Sequence, residues 1–188
     1  RQMCIRDSYK IHRTILKLEK LKKLFDYNFF VKNLHENDID FEEIIEQKKN
    51  YLYKKRKKNN LNKNFIKIFN HMIKLKKINF ISMEIKVNDK IISKCFSFIY
   101  KNIFYYYIPV MYSKEFNNYK PGMILIVEII KWCIKNNIKK FDFGLGDENY
   151  KRPFSNEIVS LHRYIKHNTL KGKILHLMIS VLLIFRKL

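Results

Sequence analysis

The sequence predicts an α+β fold, in which a mixed, mostly antiparallel sheet is flanked by helices on both faces. Three patterns carry this prediction. Amphipathic helices precede residue 75, apolar residues alternate with polar ones between 78 and 111, and an almost wholly apolar helix follows Pro121. A doubly wound sheet would instead alternate strands and helices along the chain. The 188 residues, 15% of them aromatic, are enough for one packed domain.

The first half of the chain contains three predicted helices and one strand. Residues 9–24 place apolar side chains on one helical face and basic side chains on the other, and residues 26–34 are rich enough in aromatic and β-branched side chains for a strand. Asp38 is a good N-cap for a second helix at 39–55, whose first turn is acidic. Residues 65–73 predict a third, shorter helix.

A three-stranded meander follows. From Ile78 the apolar residues recur with a period of two, which is typical of a half-buried strand. Asn88 and Asp89 suit a two-residue hairpin turn before a return strand at 91–100. Lys101 and Asn102 form a second turn before a third strand at 103–111.

The segment 119–154 stands out from this background. It holds three of the four glycines, two of the three prolines and the single tryptophan. Pro121 predicts the first turn of an apolar helix, and Asn136 and Asn137 predict its end. A short strand at 141–144 and a polar loop at 145–152 complete the segment.

This segment resembles the acetyltransferases of the cellulose-biosynthesis (CelD/BcsL) type, a branch of the GNAT superfamily that is similar in turn to FemAB-like aminoacyl transferases. The motifs are Tyr-Lys-Pro-Gly before the apolar helix, the strand Lys-Lys-Phe-Asp-Phe-Gly, and Gly-Asp-Glu-Asn-Tyr-Lys-Arg-Pro-Phe. The resemblance implies a GNAT-like acyl-CoA N-acyltransferase fold. It also implies acetyl-CoA or another acyl-CoA as donor, and an amine or hydroxyl of a sugar or cell-envelope polysaccharide precursor as acceptor.

The start of the apolar helix is the predicted donor site. Free N–H groups and the positive end of the helix dipole favour an anion there, and Gly122 permits a close approach. The resemblance implies that the pyrophosphate of acyl-CoA rests at this position. Proline at a first helical position is also common for structural reasons alone, so a simple helix-start turn is the alternative. The predicted donor-binding residues are Tyr119, Lys120, Pro121, Gly122 and Met123.

The strand and loop that follow carry the predicted catalytic and acceptor groups. A carboxylate between Phe141 and Phe143 would have a raised pKa and would act as a general base. The predicted catalytic residues are Asp142, Asp147 and Lys151, and the predicted acceptor-binding residues are Glu148, Tyr150 and Arg152.

The resemblance supports this assignment, because the family's Gly-Asp-x-x-Tyr-Lys motif falls on Gly146, Asp147, Tyr150 and Lys151. Tyr119 and Tyr150 are further candidates for giving a proton to the departing thiolate. In the alternative interpretation Asp142 is a hydrogen-bonded strand residue, and Asp147 and Glu148 are a solvated pair.

The net charge of +22 leaves other functions open. Most of the basic residues are lysines, whereas arginine is the residue that typically reads bases or forks phosphates, so a nucleic-acid partner is not favoured. Two alternatives remain. One is a FemAB-like aminoacyl transferase that uses charged tRNA, and the other is a non-catalytic basic GNAT-like module that binds nucleic acid or a membrane surface.

The remaining predictions concern the chain ends and the cell compartment. Residues 1–8 differ in character from the rest and are read as a sequencing or assembly scar. This leaves 9–188 as a single domain, which could be the C-terminal part of a longer protein. Residues 157–166 predict a last strand and 169–188 a closing helix. The apolar stretch 174–185 is too short to span a bilayer, although peripheral membrane contact remains possible. Unpaired cysteines and scattered histidines predict a reducing, cytoplasmic location and no metal.

Overall fold

The computed structural model describes residues 9–34, 39–56, 61–162, 166, 168–174 and 177–178. These residues belong to two compact units, Arg1–Ser155 and Asn156–Leu188, which are described separately. The first unit contains the sheet, the helices that cover it and every predicted site residue.

The sheet has five strands in the order in which they occur along the chain. Neighbouring strands are antiparallel except for β4 and β5, which are parallel. The strands are β1 (Tyr27–Asn33), β2 (Asn79–Val87), β3 (Lys90–Tyr100), β4 (Ile103–Met111) and β5 (Lys140–Asp142). The helices are α1 (Tyr9–Leu24), α2 (Ile39–Lys54), α3 (Lys63–Lys74) and α4 (Pro121–Lys135).

Local sequence explains the turns and helix ends. Asn88 and Asp89 have φ values of 49° and 62°, and Lys101 and Asn102 have 50° and 61°. Two successive positive φ values are what the tightest hairpin turns require, so both predicted turns are confirmed. Asn137, with φ 56°, follows the end of α4 as predicted.

One face of the sheet packs against α1 and α4, and we call it the α4 face. In the core on this face, aliphatic side chains of α4 pack on side chains of the strands, such as Met83, Cys95 and Phe104. Glu128 lies within this apolar helix but is only 8% exposed, and Lys22 of α1 pairs with its carboxylate at 2.8 Å. The pairing lets an acidic residue lie at a helix–helix interface without an uncompensated charge.

The other face packs against α2 and α3, and we call it the α2 face. Its core is largely aromatic and includes Phe41, Phe69, Phe80 and Phe96. Lys94 is 1% exposed on this face and pairs with Glu84 of β2 at 3.0 Å, which compensates its buried charge. Helices therefore cover both faces of a mostly antiparallel sheet, and the predicted fold class is confirmed.

Two predictions about the chain after the helix α4 are corrected. The predicted strand at 141–144 is shorter, because Phe143 and Gly144 lie beyond β5. The last strand predicted at 157–166 is absent from its described residues, 157–162 and 166. Ile158 and Val159 are adjacent, which breaks the period of two that a strand with one buried face requires. In the predicted closing helix, residues 170–174 and 177–178 are helical, Thr169 is described but lies before the helix, and the other residues lie outside the described ranges.

Candidate functional site

The parallel strands β4 and β5 stay together for three residue pairs only. Tyr105 lies opposite Asp142, where β5 ends, while β4 continues to Met111. Within the described chain no strand borders this remaining part of β4. Pro109 is tolerated there because an unpaired edge needs no N–H donor from it. We call residues 106–111 the open edge of β4, and a ligand can hydrogen-bond to it.

A β-bulge lies within the open edge. Ser97 and Phe96 of β3 lie opposite Tyr106 and Ile108 of β4, so that Tyr107 is the extra residue. A bulge increases the local twist and changes the direction of nearby backbone groups, and bulges are frequent next to active sites. The edge of β4 is therefore irregular at the point where β5 no longer covers it.

Residues 119–123, which we call the donor turn, lead into α4 as predicted, but they offer fewer free N–H groups than predicted. Lys120 has a left-handed backbone, with φ 56° and ψ 62°, and the amides of Met123 and Ile124 both donate to its carbonyl, at 2.9 and 3.2 Å. Pro121 has no N–H, so Gly122 supplies the one amide of this turn without a partner in the described chain. An anion here would interact with this amide and with the helix dipole.

The donor turn is anchored to the ends of β3 and β4. The hydroxyl of Ser93, which is fully buried, donates to the carbonyl of Pro121 at 3.3 Å. A Cβ atom added to Gly122 would lie 3.0 Å from the sulfur of Met111. Tyr119 packs its ring edge-on against Phe25, with 6.1 Å between centroids. The turn therefore has a fixed position next to the open edge.

Asp142 lies at the end of β5, on the α2 face. Phe141 stacks on Phe104 at 5.1 Å and Phe143 packs against Tyr106 at 5.8 Å, both on the α4 face, so Asp142 between them points the other way. Its side chain is exposed, and Oδ1 accepts a hydrogen bond from the amide of Gly144 at 2.6 Å. The apolar surroundings predicted for this carboxylate are therefore not found, because alternation along the strand separates it from both rings.

Lys151 is buried and holds the loop that follows β5. Its ammonium group donates to the carbonyls of Leu145 and Gly146 at 2.7 and 3.1 Å, and pairs with Glu148 at 2.7 Å. Only 7% of the residue is exposed. The sequence predicted Lys151 as a catalytic residue, and the structure gives its ammonium group three partners within its own loop. Lys151 is therefore placed to position the loop.

Replacing Lys151 by Met should both destabilise the protein and slow catalysis. The variant leaves two carbonyls and one carboxylate without their cation, and we expect the free energy of unfolding to fall by about 2–4 kcal/mol. Chemical denaturation measures this change. Lys139→Met, which removes an exposed lysine near β5, is the matched control and should have little effect. Equal stability of Lys151→Met and the parent chain would contradict the positioning role.

Asp147 and Arg152 form an exposed pair on the same loop. Two guanidinium nitrogens of Arg152 donate to the two carboxylate oxygens of Asp147, at 3.2 and 2.7 Å. The hydrogen bond from Arg152 and its charge lower the pKa of Asp147. Both oxygens of Asp147 are therefore engaged, whereas Asp142 has one oxygen without a partner in the described chain.

Tyr150 lies on the α4 face, half-buried against the core. Burial, the carboxylate of Glu148 and the thiol of Cys95 raise the pKa of its phenol to about 12. The hydroxyl therefore stays protonated at physiological pH and can serve as a proton donor. Tyr150 lies near Cys95, and Cys95 is two residues, or roughly 7 Å, from Ser93 along β3. Because Ser93 anchors the donor turn, Tyr150 lies on the same face as that turn and at a short distance from it.

The predicted site residues thus divide between the two faces of the sheet. The donor turn and Tyr150 lie on the α4 face, and the open edge of β4 borders both faces. The side chain of Asp142 lies on the α2 face. An exposed carboxylate, that of Asp142, and a half-buried phenol, that of Tyr150, therefore flank the open edge from opposite sides.

Sequence reasoning missed two polar groups at this site. Ser93 anchors α4, and Lys48 of α2 donates to the carbonyl of Pro109 in the open edge at 2.9 Å. Neither residue belongs to a motif, since one is a strand serine and the other is one lysine among many. The proline within a strand pattern was the available signal, because it marks an edge without a ladder partner.

In the described ranges of the chain, no three His, Cys, Asp or Glu side chains come together as metal ligands would. No helix among the same residues is long and apolar enough to cross a membrane. Cys95 and Cys133 are buried free thiols, and burial raises the pKa of each to about 12, so neither is a ready nucleophile.

Comparison with known families agrees with the fold described above. The sequence matches the family described as "Acetyltransferase (GNAT) domain" over residues 8–152. This match covers most of the chain, which therefore belongs to the GNAT acetyltransferase family and is an acyltransferase. GNAT acetyltransferases use acetyl-CoA as their donor. The finer CelD/BcsL or FemAB-like placement stays a prediction.

The individual proteins that resemble this chain are only distantly similar to it. No curated protein matches the sequence significantly. Two crystal structures of the aminoglycoside acetyltransferase meta-AAC0020, from an uncultured soil metagenomic sample, are similar to this chain, one in complex with trehalose and one with sisomicin. Their sequence identities are 11% and 12%; each comparison covers 73% of this chain and 97% of the other, with a TM-score of 0.47. A likeness at this level carries no argument about substrate.

Proposed function

We propose that this protein transfers an acetyl group from acetyl-CoA to an amine or hydroxyl of a sugar or cell-envelope polysaccharide precursor. The observation that carries the proposal is the open edge of β4 and the groups beside it. The exposed carboxylate of Asp142 lies on the α2 face, and the protonated phenol of Tyr150 and the anchored start of α4 lie on the α4 face. A thioester lying along this edge would have its acceptor on the α2 face and its leaving group on the α4 face.

The donor would be held by the donor turn and by β4. The phosphates would lie at Gly122 and the positive end of α4, where the Gly122 amide has no partner in the described chain. Backbone groups of the open edge would hydrogen-bond to the thioester arm, and the donor would occupy the strip between the helix start and the bulge. Catalysis of acetyl transfer depends mainly on holding the donor and the acceptor in position to react.

The proposed reaction transfers one proton on each side of the sheet. The acceptor nitrogen or oxygen attacks the thioester carbonyl carbon, forming the new C–N or C–O bond, and Asp142 takes the proton that the acceptor loses. The C–S bond breaks, and the thiolate leaves with a proton from Tyr150. Asp142 suits the first role because it is exposed and its Oδ2 has no partner in the described chain, and Tyr150 suits the second because it is protonated.

The loop fixed by Lys151 would bind the acceptor. It presents exposed carboxylate and guanidinium groups at Asp147, Glu148 and Arg152. Sugar hydroxyls both donate and accept hydrogen bonds, so a surface of mixed charge suits them better than it suits an apolar acceptor. The mixed charge of this loop supports a sugar as the acceptor. The resemblance to the CelD/BcsL type supports a cell-envelope precursor.

The function is tested by measuring thiol release from acetyl-CoA. The purified chain is incubated with acetyl-CoA and either an amino sugar or the matching sugar that has a hydroxyl in place of the amine. We expect release that depends on both the enzyme and the acceptor, with an acetylated sugar detected by mass spectrometry. If acetyl-CoA gives no product with any sugar and charged tRNA does, the FemAB-like alternative replaces the proposal.

The role of Tyr150 gives a separate prediction. Tyr150→Phe should lower kcat for acetyl-CoA by about 100-fold, because general acid catalysis typically contributes that much or more. An aryl thioester, whose thiolate leaves without a proton, should be affected much less. Tyr100→Phe, at the end of β3 that is remote from the open edge, is the matched control. Equal loss with both thioesters would assign Tyr150 a packing role instead.

A further inference from the structure

Helix α1 brings two cations to the donor turn. Arg13 and Lys17 are four residues apart, so they lie one turn apart on the same face of α1. The ammonium group of Lys17 donates to the backbone carbonyl of Asn118, two residues before Lys120. Because Lys120 directly precedes the first residue of α4, this hydrogen bond holds a lysine of α1 beside the start of α4. We call Arg13, Lys17 and Lys120 the cationic cluster.

Aromatic packing fixes α1 against the segment before α4. Phe25, directly after α1, packs edge-on against Phe116 and Tyr119, with centroid distances of 5.5 and 6.1 Å and interplanar angles of 89° in both cases. Phe116 is 3% exposed, so this contact belongs to the core. The approach of Lys17 to the donor turn therefore follows from how α1 packs and does not depend on a mobile side chain alone.

The three cations are close enough to affect one another. Partial burial and the charges of Lys120 and Arg13 lower the pKa of Lys17. Arg13 lies over the ring of Tyr9, at 5.4 Å from its centroid. In the part of the chain that the structure describes, no carboxylate pairs with any of the three. Like charges held together without a counterion are destabilising, and a bound anion would relieve the repulsion.

We propose that the cationic cluster binds the phosphate monoester on the ribose of coenzyme A, at the end of the donor that is remote from the thioester. The inference rests on the function proposed above. In that arrangement the pyrophosphate lies at Gly122, and the ribose end extends past Lys120 onto α1. The cluster makes the enzyme selective for a donor that carries this third phosphate over a thioester of the dephosphorylated carrier. Helix α1 thus contributes to donor specificity as well as to the core.

The test compares two donors and two variants. Arg13→Gln/Lys17→Gln removes two charges, while glutamine at 17 keeps an N–H donor for the Asn118 carbonyl. Lys23→Gln removes one exposed charge from the last turn of α1 and is the matched control. The dissociation constant is measured by calorimetry for acetyl-CoA and for acetyl-dephospho-CoA, which lacks the ribose phosphate. Thermal unfolding checks that each variant is folded.

We expect the double variant to bind acetyl-CoA about tenfold more weakly, which is typical for lost hydrogen bonds to a charged group. Its kcat at saturating donor should be unchanged, and its affinity for acetyl-dephospho-CoA should match that of the parent chain. Equal weakening for both donors, or no weakening for either, would overturn the inference while leaving the proposed function intact. Failure of the parent chain to bind either donor would overturn both.

Discussion

Asp142→Asn should lower kcat about 1000-fold, within the range that general base catalysis contributes, and should leave the fold and the affinity for acetyl-CoA unchanged. The asparagine keeps an oxygen that can accept the hydrogen bond from the Gly144 amide, now 2.6 Å from Asp142. It cannot accept a proton from the acceptor. Steady-state kinetics with a saturating acceptor, together with calorimetric titration of the donor, separate the two effects.

Asp147→Asn is the informative comparison, because this carboxylate is on the neighbouring loop and both of its oxygens already accept from Arg152. If Asp142 is the base, the Asp147 variant should lose far less activity than the Asp142 variant. The reverse order would make Asp147 the base and would require Arg152 to move away when the acceptor binds. Full activity in both variants would exclude the proposed proton transfer altogether.

Gly122→Val should abolish measurable donor binding, which we expect to weaken by at least about 100-fold, since glycine here allows the closest approach of a ligand to the start of α4. The valine side chain would also come within contact of Met111, because a Cβ at position 122 lies 3.0 Å from its sulfur. The comparison must therefore separate a clash with the donor from a clash within the protein.

A second variant makes that separation. Met111→Ala combined with Gly122→Val removes the internal clash and keeps the valine at the start of α4. We expect Met111→Ala alone to bind acetyl-CoA, and the double variant to bind as poorly as Gly122→Val. Recovery of binding in the double variant would show that the damage came from Met111. Unchanged affinity in Gly122→Val itself would place the donor elsewhere.

The sequence was sufficient to predict the sheet and its helices because local signals agree with the packing. The period of two across β2, the paired turn residues at 88–89 and the apolar run of α4 each specify one element without long-range information. The predicted last strand at 157–166 was wrong in its described residues, because the adjacent Ile158 and Val159 break the alternation that a half-buried strand requires. Strand pairing also depends on a partner that a local pattern does not reveal.

The site was harder to predict because it depends on side-chain direction and on the ends of strands. Asp142 lies between two aromatic residues in sequence, yet the pleat turns it away from both. Lys151 belongs to a polar motif, yet its ammonium bonds to carbonyls of its own loop. The approach of Lys17 to the segment before α4 joins residues about a hundred positions apart, and no spacing rule reports a contact of that range.

The most direct test of a donor site at the start of α4 is a calorimetric titration of the full chain with acetyl-CoA. The titration is done at about 0.15 M salt, where attraction between exposed charges is largely screened. We predict saturable binding of one donor per chain, lost in Gly122→Val and weakened in Arg13→Gln/Lys17→Gln. A heat signal that does not saturate, or that is the same in Gly122→Val, would contradict a donor site at the start of α4.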